Sequence, residues 1–195
     1  YGTNGTWYAH ASVGCLHVRP VLNMKNSSDV AKMRAIALEA FELVKRFSGS
    51  HSGEHGDGIS RSEFNPVMFG EKLNTAFIKL KKILDPSDLF NPGKIVNAPK
   101  MDARDLFRYA PGYKVSDFPT TLDWKAWPGA AGGLQGAVEM CNNNGACRKL
   151  VGGVMCPSFR ITGDEKDSTR GRANILRLAM SGQLGPDAMI SDKMK

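Results

Sequence analysis

The chain has 195 residues, 42% of them hydrophobic and 23% charged, and a formal net charge of +7. That is enough apolar material for a packed core, which excludes a disordered polymer, and it lacks the run of roughly 20 apolar residues that a transmembrane helix requires. Lys and Arg outnumber Asp and Glu by 13 to 9 in residues 1–100 and by 13 to 10 in residues 101–195. No segment therefore concentrates the cations that nucleic-acid binding calls for, whereas an anionic small-molecule substrate suits a diffuse positive surface.

In chain order, Trp7 to Met24 reads as extended structure. Leu16, Val18, Pro20 and Leu22 alternate with Cys15, His17, Arg19 and Val21, which puts His17 and Arg19 on one face opposite the apolar one. Pro20 marks a strand end or an edge. Ser27, Ser28 and Asp29 then offer a helix cap. Val30, Met33, Ala37, Phe41, Val44 and Phe47 follow at helical spacing, with Lys32, Glu39, Glu42, Lys45 and Arg46 left for solvent,. Ser48 to Gly58 is rich in Gly and Ser and reads as a loop. Phe69, Leu73, Phe77, Leu80 and Leu84 define a second amphipathic helix ending before Asp85-Pro86, because proline disfavours helical geometry in the residue before it. A turn-dense segment runs on to Lys94. Residues 98–134 lack periodicity and read as a connector, with Tyr109, Tyr113, Phe118, Trp124 and Trp127 as pins. Short helices are expected around Leu134–Met140 and Ala173–Met180.

The chain lacks an initiator Met and a basic-then-apolar leader, and it ends in a polar stretch after Gly185-Pro186,. An excerpt of a longer polypeptide is the expectation.

The histidines fall in two segments, His10 with His17 and His51 with His55, and none occurs among the 140 residues that follow. Glu54 adjoins the second pair. Two imidazoles and a carboxylate suit a divalent metal with an open coordination position, and a satisfied structural role is the alternative for any one of them. Of four cysteines, Cys15 stands apart while Cys141, Cys147 and Cys156 fall within 16 residues. That grouping points to soft-metal ligation more than to a disulfide scaffold, and hence to an intracellular chain.

The strings that carry these residues are Tyr8-Ala9-His10 through Leu16-His17, Gly53-Glu54-His55-Gly56, and Asp85-Pro86 through Asn91-Pro92-Gly93-Lys94. In that order they resemble the signatures of the C-terminal substrate domain of FAD-linked oxidases and dehydrogenases acting on D-2-hydroxy acids. These are the D-lactate, glycolate and D-2-hydroxyglutarate dehydrogenases of the vanillyl-alcohol-oxidase superfamily. The resemblance implies an α+β fold, an antiparallel sheet covered by helices, over residues 1–97. It implies a divalent metal, Zn or Mn, on His10, His17 and Glu54, with His55 as general base. Arg19 and Arg61 become partners for a substrate carboxylate, and Asn91 and Lys94 contacts to FAD, which is held mainly by a separate FAD-binding domain of the same polypeptide. Where relatives carry Gly-Asp-Gly-Asn, this chain has Ser12-Val13-Gly14-Cys15, a thiol in place of a polar substrate contact. His51 is read as structural.

The run Cys141 to Cys147, then Cys156-Pro157 and Asp167-Ser-Thr-Arg-Gly-Arg172, resembles the iron–sulfur region of ferredoxin-like helical domains fused to such dehydrogenases. It implies cluster ligation by Cys141, Cys147 and Cys156 at the start of a small α-helical domain over residues 135–195, with Cys156 able to serve a second cluster. This short chain is expected to be cluster-free and inactive by itself. Electrons from a 2-hydroxy acid would pass to flavin, to the iron–sulfur centre and to an unidentified acceptor. A cytoplasmic protein is expected, with any membrane association coming through that acceptor. The competing expectations are a zinc-stabilised interaction module with a closed four-ligand site, and an electron-transfer subunit with an inert first domain.

Overall fold

The computed structural model describes residues 1–116, 118–127, 132–153 and 155–194. The chain divides into two compact units, Tyr1–Pro111 and Gly112–Lys195. The division falls inside the expected connector, of which residues 117 and 128–131 lie outside the described residues, as does Val154 ahead of Cys156.

The first unit begins with strands β1 (Gly5–His10) and β2 (Cys15–Pro20), joined by a single 3₁₀ turn over Ala11–Val13. They pair antiparallel, with Trp7 opposite Val18, Tyr8 opposite His17, Ala9 opposite Leu16 and His10 opposite Cys15. Directly paired residues share a face, so the hairpin sorts its side chains into two sets. Trp7, Ala9, Leu16 and Val18 make the apolar face. Tyr8, His10, Cys15, His17 and Arg19 make the other. Trp7 and Leu16 are 70% and 71% exposed.

Helix α1 (Ser27–Arg46) follows, with Val30 and Phe41 buried. Asn26 occupies the cap position and Asp29 lies in the first turn, accepting from the Asn23 N–H at 2.8 Å and pairing with Lys32. Phe47 terminates the helix exposed, so the apolar stripe stops one turn earlier than its spacing suggests. After the 48–57 loop come α2 (Gly58–Arg61), α3 (Asn65–Phe69) and α4 (Glu71–Leu84). Phe69 is thus not on the same helix as Phe77. Gly70, at φ 82° and ψ 162°, breaks the path between them, a geometry glycine adopts at low cost,. The two rings nonetheless meet edge-on with centroids 5.9 Å apart.

Phe41 stacks on Phe64 at 5.1 Å, and Val30 and Val96 are also buried. Polar contacts tie the 91–102 segment to the helices. The Ile95 N–H donates to Ser62 Oγ at 3.0 Å, and Asn65 Nδ2 donates to the Ile95 carbonyl at 3.2 Å. Arg34 spans Glu63 and Asp102 with bonds of 2.7 and 2.8 Å, while Glu63 also accepts the Met101 N–H.

The second unit is helical: α5 (Gly133–Glu139), α6 (Pro157–Thr162) and α7 (Thr169–Met180). Gln135, 2% exposed, accepts the Ser116 N–H and donates to the Lys114 carbonyl, both at 2.8 Å. Ser168 caps α7 by accepting the Gly171 N–H at 2.9 Å. The small antiparallel sheet with helices makes the first unit α+β, as expected.

Candidate active site

Strand alternation sends the side chains of His10, His17 and Arg19 to one face of the hairpin, and the 48–57 loop brings Glu54 and His55 up to it. Glu54 is the hub. Its Oε2 lies 2.6 Å from His10 Nε2, its Oε1 is paired with His17 Nδ1, and His55 Nε2 stands 3.5 Å from the same oxygen. The His17 and His55 rings are perpendicular, with centroids 5.9 Å apart. The His10 hydrogen bond, and then the fields of His17 and His55, hold the Glu54 carboxyl below the usual glutamate range against an opposing desolvation effect,. Glu54 is therefore an anion at neutral pH, ready to serve as a ligand.

One donor atom each from His17, Glu54 and His55 falls within 4.8 Å of the other two. Imidazole and carboxylate are borderline-to-hard donors, and this convergence fits a divalent ion such as Zn or Mn. His10 holds the carboxylate from its other oxygen. All four residues expected at the site thus come together, two from strands and two from a loop 44 residues distant from His10.

Arg19 lies with its guanidinium carbon 5.1 Å from the Tyr8 ring centre, and Tyr8 meets His17 edge-on at 6.3 Å. Tyr8 opens the Tyr8-Ala9-His10 string, which gives it no role, and strand pairing makes it a neighbour of the site. Arg61 Nη1 donates to the Gly56 carbonyl at 3.4 Å, bracing the loop just past His55. Lys94 Nζ donates to Asn91 Oδ1 at 3.2 Å, and both residues line an open cleft of about 690 Å³. Gly56, Asp57 and Gly58 also line it. The His51 side chain is 5% exposed and packs against the Phe41 and Phe69 rings, with centroids 5.8 and 6.1 Å away.

In the second unit all three cysteines are free thiols, as is Cys15. Cys147 and Cys156 are buried together against Phe159, while Cys141 is half-buried with its sulfur 3.7 Å from Asn143 Oδ1. Cys156 Sγ lies 2.7 Å from Thr169 Oγ1 and accepts the Thr169 N–H at 3.0 Å. These bonds, with smaller help from Cys147 and Arg172, pull its pKa down towards the thiolate that a metal or cluster binds,.

Residues 1–95 match the family described as FAD linked oxidases, C-terminal domain. They belong to that family. A D-2-hydroxyglutarate dehydrogenase of Pseudomonas putida is 35% identical over 198 residues, covering 100% of this chain and 19% of that protein. The D-2-hydroxyglutarate dehydrogenase of Escherichia coli K12 is 34% identical over 179 residues, 91% of this chain and 17% of that protein. The glycolate oxidase subunit GlcD of Bacillus subtilis is 27% identical over 88 residues, 45% of this chain and 19% of that protein. The chain therefore spans about a fifth of the length of these relatives. No solved structure matches it. The His–Glu cluster and the Asn91–Lys94 turn both lie within the FAD-linked oxidase C-terminal domain. The three clustered cysteines lie beyond it.

Proposed function

We propose that this chain is the substrate-domain portion, residues 1–97, and the start of an iron–sulfur domain, residues 135–195, of a flavin-dependent dehydrogenase, with residues 98–134 as connector. The reaction is oxidation of a D-2-hydroxy acid to the 2-keto acid, with electrons leaving through iron–sulfur centres to a separate acceptor. The observation that carries the reading is Glu54, held between His10 and His17 with His55 alongside.

When bound, a divalent ion supplies Lewis-acid polarisation of the substrate hydroxyl, and FAD supplies the hydride acceptor that no side chain can provide. His10, His17 and Glu54 hold the ion. His55, 62% exposed at its side chain and on the same side of Glu54 as His17, takes the hydroxyl proton on its imidazole nitrogen,. Arg19 and Arg61 bind the substrate carboxylate, whose planar oxygens suit a guanidinium fork. Asn91 and Lys94, which line the same cleft as Gly56, would contact the flavin. Cys141, Cys147 and Cys156 supply thiolate ligands to the iron–sulfur centre.

A second arrangement is favoured by the convergence of His17, Glu54 and His55: these three hold the ion, and His10 orients Glu54. A closed zinc-binding module would need a fourth converging donor and would leave no exposed imidazole for chemistry.

The test is anaerobic mixing of the full-length protein with D- and L-2-hydroxy acids while the flavin absorbance is followed. Bleaching by the D-enantiomer that is lost in His55→Ala supports the assignment. Flavin that no 2-hydroxy acid reduces overturns it.

A further inference from the structure

Gly53 is one of the few glycines whose replacement would meet a side chain at short range. Its backbone does not require a glycine, since its φ lies outside the left-handed region. What it lacks is space. A Cβ built on Gly53 would lie 2.5 Å from Cys15 Sγ and 3.5 Å from Cys15 Cβ, whereas Gly56, three residues on, has nothing within 4 Å. Cys15 is the first residue of β2, pairs with His10 and shares its face with His17,. Its sulfur thus reaches from the hairpin to the loop backbone one residue ahead of Glu54.

We propose that Cys15 is a positioning residue: its sulfur seats on the bare backbone of Gly53 and sets the distance at which Glu54 is presented to His10 and His17. The inference rests on the reading of that cluster as a metal site. The sequence supports the pairing from both sides, because a sulfur stands at position 15 and the facing residue has no side chain. The remaining His10 and Glu54 contacts are between exposed, rotatable groups, which by themselves tolerate a shift of the loop. A packed sulfur on a main chain does not.

The consequence is a compensating pair. Removing the sulfur opens a gap, and adding a methyl at Gly53 forces the loop away. Doing both restores an ordinary 3.5 Å contact. In the full-length protein, Zn²⁺ affinity is measured by calorimetry, and alkylation of the residue-15 thiol is timed by mass spectrometry in the proteins that keep it. Gly53→Ala is expected to weaken Zn²⁺ binding about tenfold or more, the scale of losing a support behind a ligand. It should also speed alkylation of Cys15 several-fold. Cys15→Ala should weaken binding less. The double variant Cys15→Ala/Gly53→Ala should bind within about threefold of the parent, a departure from additivity that marks direct contact.

A Gly53→Ala protein that does not fold beside a double variant that does is the same rescue. A double variant as weak as Gly53→Ala alone overturns the proposal. Should the parent bind no divalent ion, the metal reading fails on its own. The alkylation rate then decides the contact, and an unchanged rate in Gly53→Ala overturns it.

Discussion

Glu54 Oε2 and His10 Nε2 stand 2.6 Å apart although 44 positions separate the two residues in the chain. That contact, with the His17–Glu54 pair, joins the 48–57 loop to the β1–β2 hairpin and turns two motifs into one pocket. With His17 on the other carboxylate oxygen, Glu54 cannot swing away without losing both partners.

The two ligand arrangements are separable by substitution. If His10, His17 and Glu54 are the ligands, His10→Ala lowers Zn²⁺ affinity about tenfold or more. His55→Ala then leaves affinity intact while cutting turnover about 10²- to 10⁴-fold, the worth of a positioned base. If His17, Glu54 and His55 are the ligands, His55→Ala lowers affinity as well as turnover, and more than His10→Ala, which removes only the support behind Glu54,. Calorimetry and steady-state turnover on the two variants distinguish these outcomes.

Asp85 organises the turn that presents Asn91 and Lys94. It accepts the Leu89 and Phe90 N–H groups, each at 2.9 Å, and pairs with Lys81, itself bonded to the Phe90 carbonyl. The Lys81 bond first, then the backbone donors, lower its pKa from 3.8 to about 2. A depressed carboxyl stabilises the fold above its unfolded pKa, and that contribution fades as pH falls. Asp85→Asn should therefore melt below the parent at pH 7, and the difference should shrink between about pH 4 and about pH 2. A difference that stays constant across that window would show the carboxylate's charge to be irrelevant.

Arg34 is held 26% exposed at its side chain between Glu63 and Asp102. The Glu63 bond raises its pKa, and Glu63 is left in a partly buried position should the guanidinium go. Arg34→Met should cost about 2 kcal/mol in urea unfolding, discounted from the larger penalty of a fully buried orphaned carboxylate. Arg34→Met/Glu63→Leu should recover part of that loss.

Ser168 is fully buried and caps α7. Ser168→Ala should lower stability by about 1 kcal/mol. Loosening the first turn of α7 also withdraws the Thr169 donors from Cys156, so the midpoint of the pH profile of Cys156 alkylation should move to higher pH,. Denaturant melts and pH-resolved alkylation check the two effects separately.

Much of the site is legible in the residues. The period-2 alternation around Cys15–Pro20 assigns His17 and Arg19 to one face, and the hairpin realises it. Pairing then adds His10 and Tyr8 to that face, which alternation in one strand cannot show, because register is a property of two. The break at Gly70 is hidden because Phe69 keeps helical spacing with Leu73 and Phe77, and only the glycine's positive φ ends the path. Helix α6 escapes notice because it is six residues long and begins after Cys156 in a left-handed conformation, φ 53°. The Cys15–Gly53 contact joins two residues with no shared periodicity, so only the folded chain reveals it.

The most direct test of the central claim is a Zn²⁺ and Mn²⁺ titration of the full-length protein, purified free of metal, alongside Glu54→Ala. The expected result is one tightly bound ion per chain at this site, with affinity reduced about 100-fold or more in Glu54→Ala because the hub carboxylate is gone. Equal affinity in the parent and Glu54→Ala would contradict a metal centre at the His10–His17–Glu54 cluster.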